Sequence, residues 1–107
     1  MNFFPEKQIT MREAKKIAEN AAKEQLQSYA NSKISFLSDE FMEADYCWFF
    51  FRNKKIIGPP EEVLNWDWAY AVSKKGELSL IADYSKDTEA LKDYLKKMSN
   101  YFRDRGL

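Results

Sequence analysis

Trp66-Asp67-Trp68-Ala69-Tyr70-Ala71-Val72-Ser73-Lys74-Lys75-Gly76-Glu77-Leu78-Ser79-Leu80-Ile81-Ala82 reads as a β-hairpin. Trp66, Trp68, Tyr70 and Val72 alternate with Asp67, Ala69 and Ala71, which gives a half-buried strand with an aromatic face. Ser73-Lys74-Lys75-Gly76 turns the chain, with Gly76 able to take positive φ. On the return, Leu78, Leu80 and Ala82 alternate with Glu77, Ser79 and Ile81.

Upstream of the hairpin, Tyr46-Cys47-Trp48-Phe49-Phe50-Phe51-Arg52 is apolar at both alternating sets of positions, the pattern of a central strand covered twice. Asn53-Lys54-Lys55 supplies a turn, and Ile56-Ile57 can begin another short strand. Gly58-Pro59-Pro60 stops it, because consecutive prolines cannot continue a hydrogen-bonded ladder. Ile34 to Leu37 reads as a short edge strand. Ser38 to Asp45, with Asp39, Glu40, Glu43, Asp45 and no base, reads as a loop or as strand ends joined by one.

Two helices flank these strands. Thr10-Met11-Arg12-Glu13 has capping-box spacing. Ala14, Ile17, Ala18, Ala21, Ala22, Leu26 and Tyr29 then recur at helical intervals, which predicts a helix over 11–30 ended by Asn31-Ser32. Its stripe is mostly alanine, so it can lie close against a sheet. Asp87 is a plausible N-cap for a second helix over 88–104, with Leu91, Leu95, Met98 and Phe102 on one face and Tyr94 and Tyr101 beside them. The expected architecture is α+β: one domain, residues 1–107, with an antiparallel sheet of three to five strands between an N-terminal and a C-terminal helix.

Composition narrows the chemistry. The chain has 107 residues, 17 Lys plus Arg, 17 Asp plus Glu and a formal net charge of zero, so there is no basic excess seeking a polyanion. It has no His and one Cys. That removes histidine-based triads, histidine or cysteine-cluster metal sites and an internal disulfide. Cys47 sits in the most apolar segment, where burial would raise its pKa and leave it inert. No cofactor is expected, and no enzymatic activity. The start of the sequence has no basic region leading into a long apolar stretch, and the longest apolar run, Tyr46 to Phe51, is far short of a membrane span. A cytoplasmic protein without membrane association is expected.

The acids offer the remaining functional reading. Asp39, Glu40, Glu43 and Asp45 are four carboxylates in seven residues. They could bind a hard cation or serve as paired catalytic carboxylates in a small hydrolase, but they lack the calcium-loop spacing and its turn glycine. A solvated acidic loop is the plainest interpretation, and a partner-binding patch the functional one. Glu61, Glu62 and Asp67 could extend that patch, with Trp66 as an aromatic anchor. The aromatic strands could also stack bases. Asp67, Glu61 and Glu62 stand where a nucleic-acid surface needs cations, so direct nucleic-acid binding is not expected.

Thr10-Met11-Arg12-Glu13-Ala14 opening a helix, Trp48-Phe49-Phe50, Gly58-Pro59 and Ala71-Val72-Ser73-Lys74-Lys75-Gly76-Glu77 form a series over most of the chain. In this order the sequence resembles the YrhB-like group of small bacterial immunity proteins. It departs from that group at Lys75-Gly76, where the group tends to have Thr-Gly. The resemblance implies a cytoplasmic protein that binds and neutralises a cognate protein toxin; a monomer or weak dimer is expected. A basic, nuclease-like toxin would match the acidic residues.

Overall fold

A computed structural model of the chain describes residues 8–30 and 33–107. The elements run α1 (Met11–Leu26), β1 (Leu37–Glu43), β2 (Cys47–Arg52), α2 (Val63–Trp66), β3 (Trp68–Ser73), β4 (Leu78–Ala82) and α3 (Thr88–Asp104). The four strands form one antiparallel sheet in the order β1-β2-β3-β4. This is the expected α+β arrangement, with a helix before the sheet and a helix after it.

The sheet is covered on both faces, and the alternation in β2 dictates how. Trp48 and Phe50 point to one side, where Tyr70 and Val72 of β3 join them against Ala14, Ala18, Ala22 and Leu26 of α1. Those four α1 residues are fully buried and recur every fourth position, so small side chains bring the helix backbone close to the aromatic face. Cys47, Phe49 and Phe51 point to the other side, with Ala69, Ala71 and Ile81. Leu91, Leu95 and Phe102 of α3 close that core, and the small Ala69 and Ala71 leave room for the Phe rings beside them. Each buried Phe contributes on the order of 1.5–3 kcal/mol.

Local chemistry sets the ends of the elements. The Thr10 hydroxyl accepts from the Glu13 amide at 3.1 Å, and the Glu13 carboxylate accepts from the Thr10 amide at 3.0 Å. Asp87 caps α3 by accepting from the Ala90 amide at 3.1 Å. In the hairpin Gly76 takes φ +93°, and the Ser73 hydroxyl accepts from the amides of Lys75 and Glu77. Ser99, buried in α3, accepts from the Tyr46 amide at 3.0 Å and ties the β1–β2 turn to the helix.

Four boundaries differ from the sequence reading. Helix α1 ends at Leu26 and residues 27–30 form turns, while the expected terminator Asn31-Ser32 lies outside the described residues, as do residues 1–7. The edge strand is Leu37–Glu43, not 34–37: the acidic stretch is itself the strand, because β2 offers it a ladder. Its pairing skips register between Leu37 and Phe41, which hides the alternation in the sequence. Ile56-Ile57 forms no strand; Ile56 is buried, Ile57 is exposed, and the Arg52 guanidinium takes the Ile56 carbonyl.

The fourth difference concerns Trp66, which closes α2 instead of opening β3. A single 3₁₀ turn over Pro60–Glu62 leads into α2. The Trp66 indole then folds back over Gly58 and donates to the Pro59 carbonyl at 3.0 Å. Arg52 lies over the same ring, 4.9 Å from its centroid, and pairs with Asp67 at 3.2 Å. The 53–67 connection is therefore pinned to the end of β2 by a cation between a ring and a carboxylate.

Candidate partner-binding surface

The eight residues singled out in the sequence divide into two groups. Glu43 is ion-paired with Lys74, which is itself nearly buried. Glu62 accepts from the Tyr29 hydroxyl at 3.1 Å, joining the turn after α1 to the 3₁₀ turn. Burial and this carboxylate together raise the Tyr29 pKa. Asp67 is held by Arg52, and Trp66 is 8% exposed, so it is a core ring rather than a surface anchor. These four are tied into the fold. Asp39, Glu40, Asp45 and Glu61 are exposed and have no side-chain partner among the described residues.

Strand pairing also separates the acids in space. Leu37 pairs with Arg52 and Glu43 with Trp48, so Asp39 and Glu40 lie near the end of the sheet where β2 finishes and β3 begins. Glu43 and Asp45 lie at the opposite end, by Lys74 and Ser99. The acidic stretch is thus two sites. The structure brings Glu40 together with Trp66 and Asp67 around one open groove of about 630 Å³, also lined by Arg52, Lys54 and Ile57. Within it, Arg52 is committed to Asp67 and Lys54 to Asp83.

A second hollow of about 460 Å³ adjoins this groove on the α3 side. Asp39 and Glu40 stand over it, and Met42, Phe51 and Leu91 give it apolar walls. Phe41, on the other face of the strand, is 42% exposed and stacks on Phe50 with centroids 6.0 Å apart. Phe41 and Met42 are the surface residues that sequence reasoning passes over. Their signal is an aromatic and a thioether set between acids, which marks an edge strand half covered by its neighbours. Chemically, the edge offers two free carboxylates, an exposed ring and an apolar-walled hollow, which suits a cationic side chain with an aliphatic stem.

Two features bear on reactivity. Burial pushes the Cys47 thiol up to about 12, despite the nearby Lys74 ammonium, so it is a packing residue. No group of three or more metal-ligating side chains occurs among the described residues. Nor is any helix among them long and apolar enough to cross a membrane.

Fold and surface define an α+β sheet domain, helix-covered on both faces, with an acidic edge strand. In comparisons with known proteins, no family model, no curated protein and no solved structure matches this chain.

Proposed function

We propose that this chain is a bacterial immunity protein of the cytoplasm, which binds a cognate protein toxin and neutralises it without catalysis. The observation that carries the reading is edge strand β1, which presents Asp39, Glu40 and the exposed Phe41 beside an apolar-walled hollow, with neither carboxylate paired internally. Free carboxylates around an aromatic contact favour a basic protein surface. Electrostatic attraction speeds encounter, and the ring and hollow supply desolvated contact. Inhibition by occlusion needs no nucleophile or general base. The resemblance to the YrhB-like immunity proteins supplies the class of partner.

The test is co-expression with the product of the reading frame directly upstream of this gene. Growth should be rescued, and the two chains should purify together. A variant with Asp39→Asn, Glu40→Gln and Phe41→Ser should lose both effects while keeping its unfolding midpoint within about 1 kcal/mol of the parent. Full protection by that variant would remove β1 from the interface. Absence of any protection by the parent chain would reject the immunity reading itself.

A further inference from the structure

The sheet has two edges, and only one is defended. Edge strand β1 carries a register irregularity between Leu37 and Phe41 together with Asp39 and Glu40, devices that deter another strand from adding to it. Strand β4, Leu78–Ala82, has none of them. It contains no charge and no proline, and it pairs with β3 in unbroken register from Val72–Leu78 to Trp68–Ala82.

The hydrogen-bond phase of that ladder says which groups are open. The Ser73 amide donates to the Glu77 carbonyl at 2.8 Å, so Ser73 and Glu77 form a bonded pair. Bonded and non-bonded pairs alternate, which turns Ser79 and Ile81 toward β3. The amides and carbonyls of Leu78, Leu80 and Ala82 therefore point outward; those of Leu78 and Leu80 have no partner among the described residues, while the Ala82 amide bonds to the Tyr94 hydroxyl of α3. Among the described residues, helices α1 and α3 lie mainly over β2 and β3, and no strand pairs with the outer edge of β4. Leu80 is 49% exposed, and with Leu78 it floors a shallow hollow of about 340 Å³ rimmed by Ala21, Glu24 and Gln25 of α1.

We propose that β4 pairs antiparallel with β4 of a second copy of this chain, with Leu80 on the two-fold axis. In that register Leu80 opposes Leu80, and Leu78 opposes Ala82 of the second copy. The two Leu80 residues then exchange amide and carbonyl bonds, and each Leu78 amide donates to the Ala82 carbonyl of the other copy, whose own amide stays with Tyr94. The dyad stands perpendicular to the sheet, so both α1 helices lie on one side and the two Leu80 side chains cover each other there. Five uncharged residues face their own copy without repulsion. The flanking Asp83 carboxylate, 4% exposed, is turned inward onto Lys54 and does not confront Glu77 of the second copy as a bare charge. The contact is small beside the 1,200–2,000 Å² or so of a standard interface, which makes the dimer weak and concentration-dependent. It leaves both β1 edges free at the far ends of an eight-stranded sheet (4 + 4).

Sedimentation equilibrium of the whole chain, from about micromolar to about millimolar, reads the association directly. A monomer–dimer equilibrium is expected. Leu80→Lys, which sets two ammonium groups on the axis, should raise the dissociation constant roughly tenfold or more. Leu80→Cys should be joined by a short bis-maleimide far faster than Leu64→Cys, a control at a more exposed position. Cys47, buried and held as the thiol, does not compete. Circular dichroism establishes that both variants fold. A parent chain monomeric throughout, a dimer indifferent to Leu80→Lys, or equal cross-linking at positions 80 and 64 would each overturn the proposal.

Discussion

The ammonium of Lys74 lies 4.0 Å above the ring centroid of Trp48 and is held there by the carboxylate of Glu43. Three elements meet in this contact: Glu43 ends β1, Trp48 pairs opposite it in β2, and Lys74 follows β3 in the hairpin turn. Lys74 is 9% exposed, an unusual burial for a turn lysine. The ring face and the carboxylate replace the water that its charge gives up. Glu43 therefore serves the fold, whatever its neighbours along β1 do.

Lys74→Met keeps the stem and removes the charge, and is expected to lower stability by about 1–2 kcal/mol. Glu43→Gln should cost less than about 1 kcal/mol, since that carboxylate is half exposed. Urea unfolding followed by tryptophan fluorescence measures both. Equal losses would mean that the ion pair, rather than the ring contact, holds the lysine.

What is legible in the sequence is what local chemistry fixes. Helix α3 is readable to the residue, because Asp87 caps it and Leu91, Leu95 and Phe102 repeat on one face. Strand β2 is readable because both of its faces are apolar, and both are in fact covered. Strand β1 is not, since an acidic segment with a register skip becomes a strand only through the ladder that β2 provides. The acidic patch misleads for a related reason. Four residues of extended chain carry Glu43 about 13 Å from Asp39, so neighbours in sequence reach opposite ends of the sheet. Trp66 fits the β3 alternation, yet its ring is claimed by Gly58, Pro59 and Arg52, contacts that no spacing rule encodes.

Gly58 is the next test of that packing. A Cβ there would stand 2.4 Å from Trp66 Cδ1, closer than any side chain tolerates. Gly58→Ala must push the indole away from the Pro59 carbonyl and the Arg52 guanidinium. A loss of about 1–3 kcal/mol is expected, with a red-shifted tryptophan emission as the ring gains solvent. An unchanged unfolding midpoint would show that the 53–67 connection yields freely.

Asp83 predicts a pH dependence. Burial pushes its carboxyl pKa up, but hydrogen bonds from Lys54 and Ser85 outweigh burial, and the net shift is downward. A carboxylate whose folded pKa lies below its unfolded value, about 3.9, binds more protons when unfolded. Its contribution is complete above that value and is lost as the pH falls through the lower, folded pKa. Asp83→Asn should therefore destabilise the protein near neutral pH and flatten the decline in stability below about pH 4. Parallel stability–pH curves for parent and variant would exclude Asp83 as a source of acid sensitivity.

The two ends of β1 give the sharpest test of the partner surface. If a basic toxin docks against Asp39 and Glu40, the pair Asp39→Asn and Glu40→Gln removes two unscreened charges from the encounter. Association should slow severalfold at low salt, and the difference from the parent should shrink as ionic strength rises and the Debye length falls below about 10 Å. Glu43→Gln with Asp45→Asn removes the same formal charge from the far end, where Lys74 already neutralises Glu43. Its effect on association should be much smaller, while its effect on stability should be the larger of the two. Stopped-flow association with the co-purified partner, at several salt concentrations, compares the pairs directly. Equal slowing by both would mean that the partner senses the net charge of the whole edge. Slowing by the Glu43 and Asp45 pair alone would move the interface to the hairpin end of the sheet.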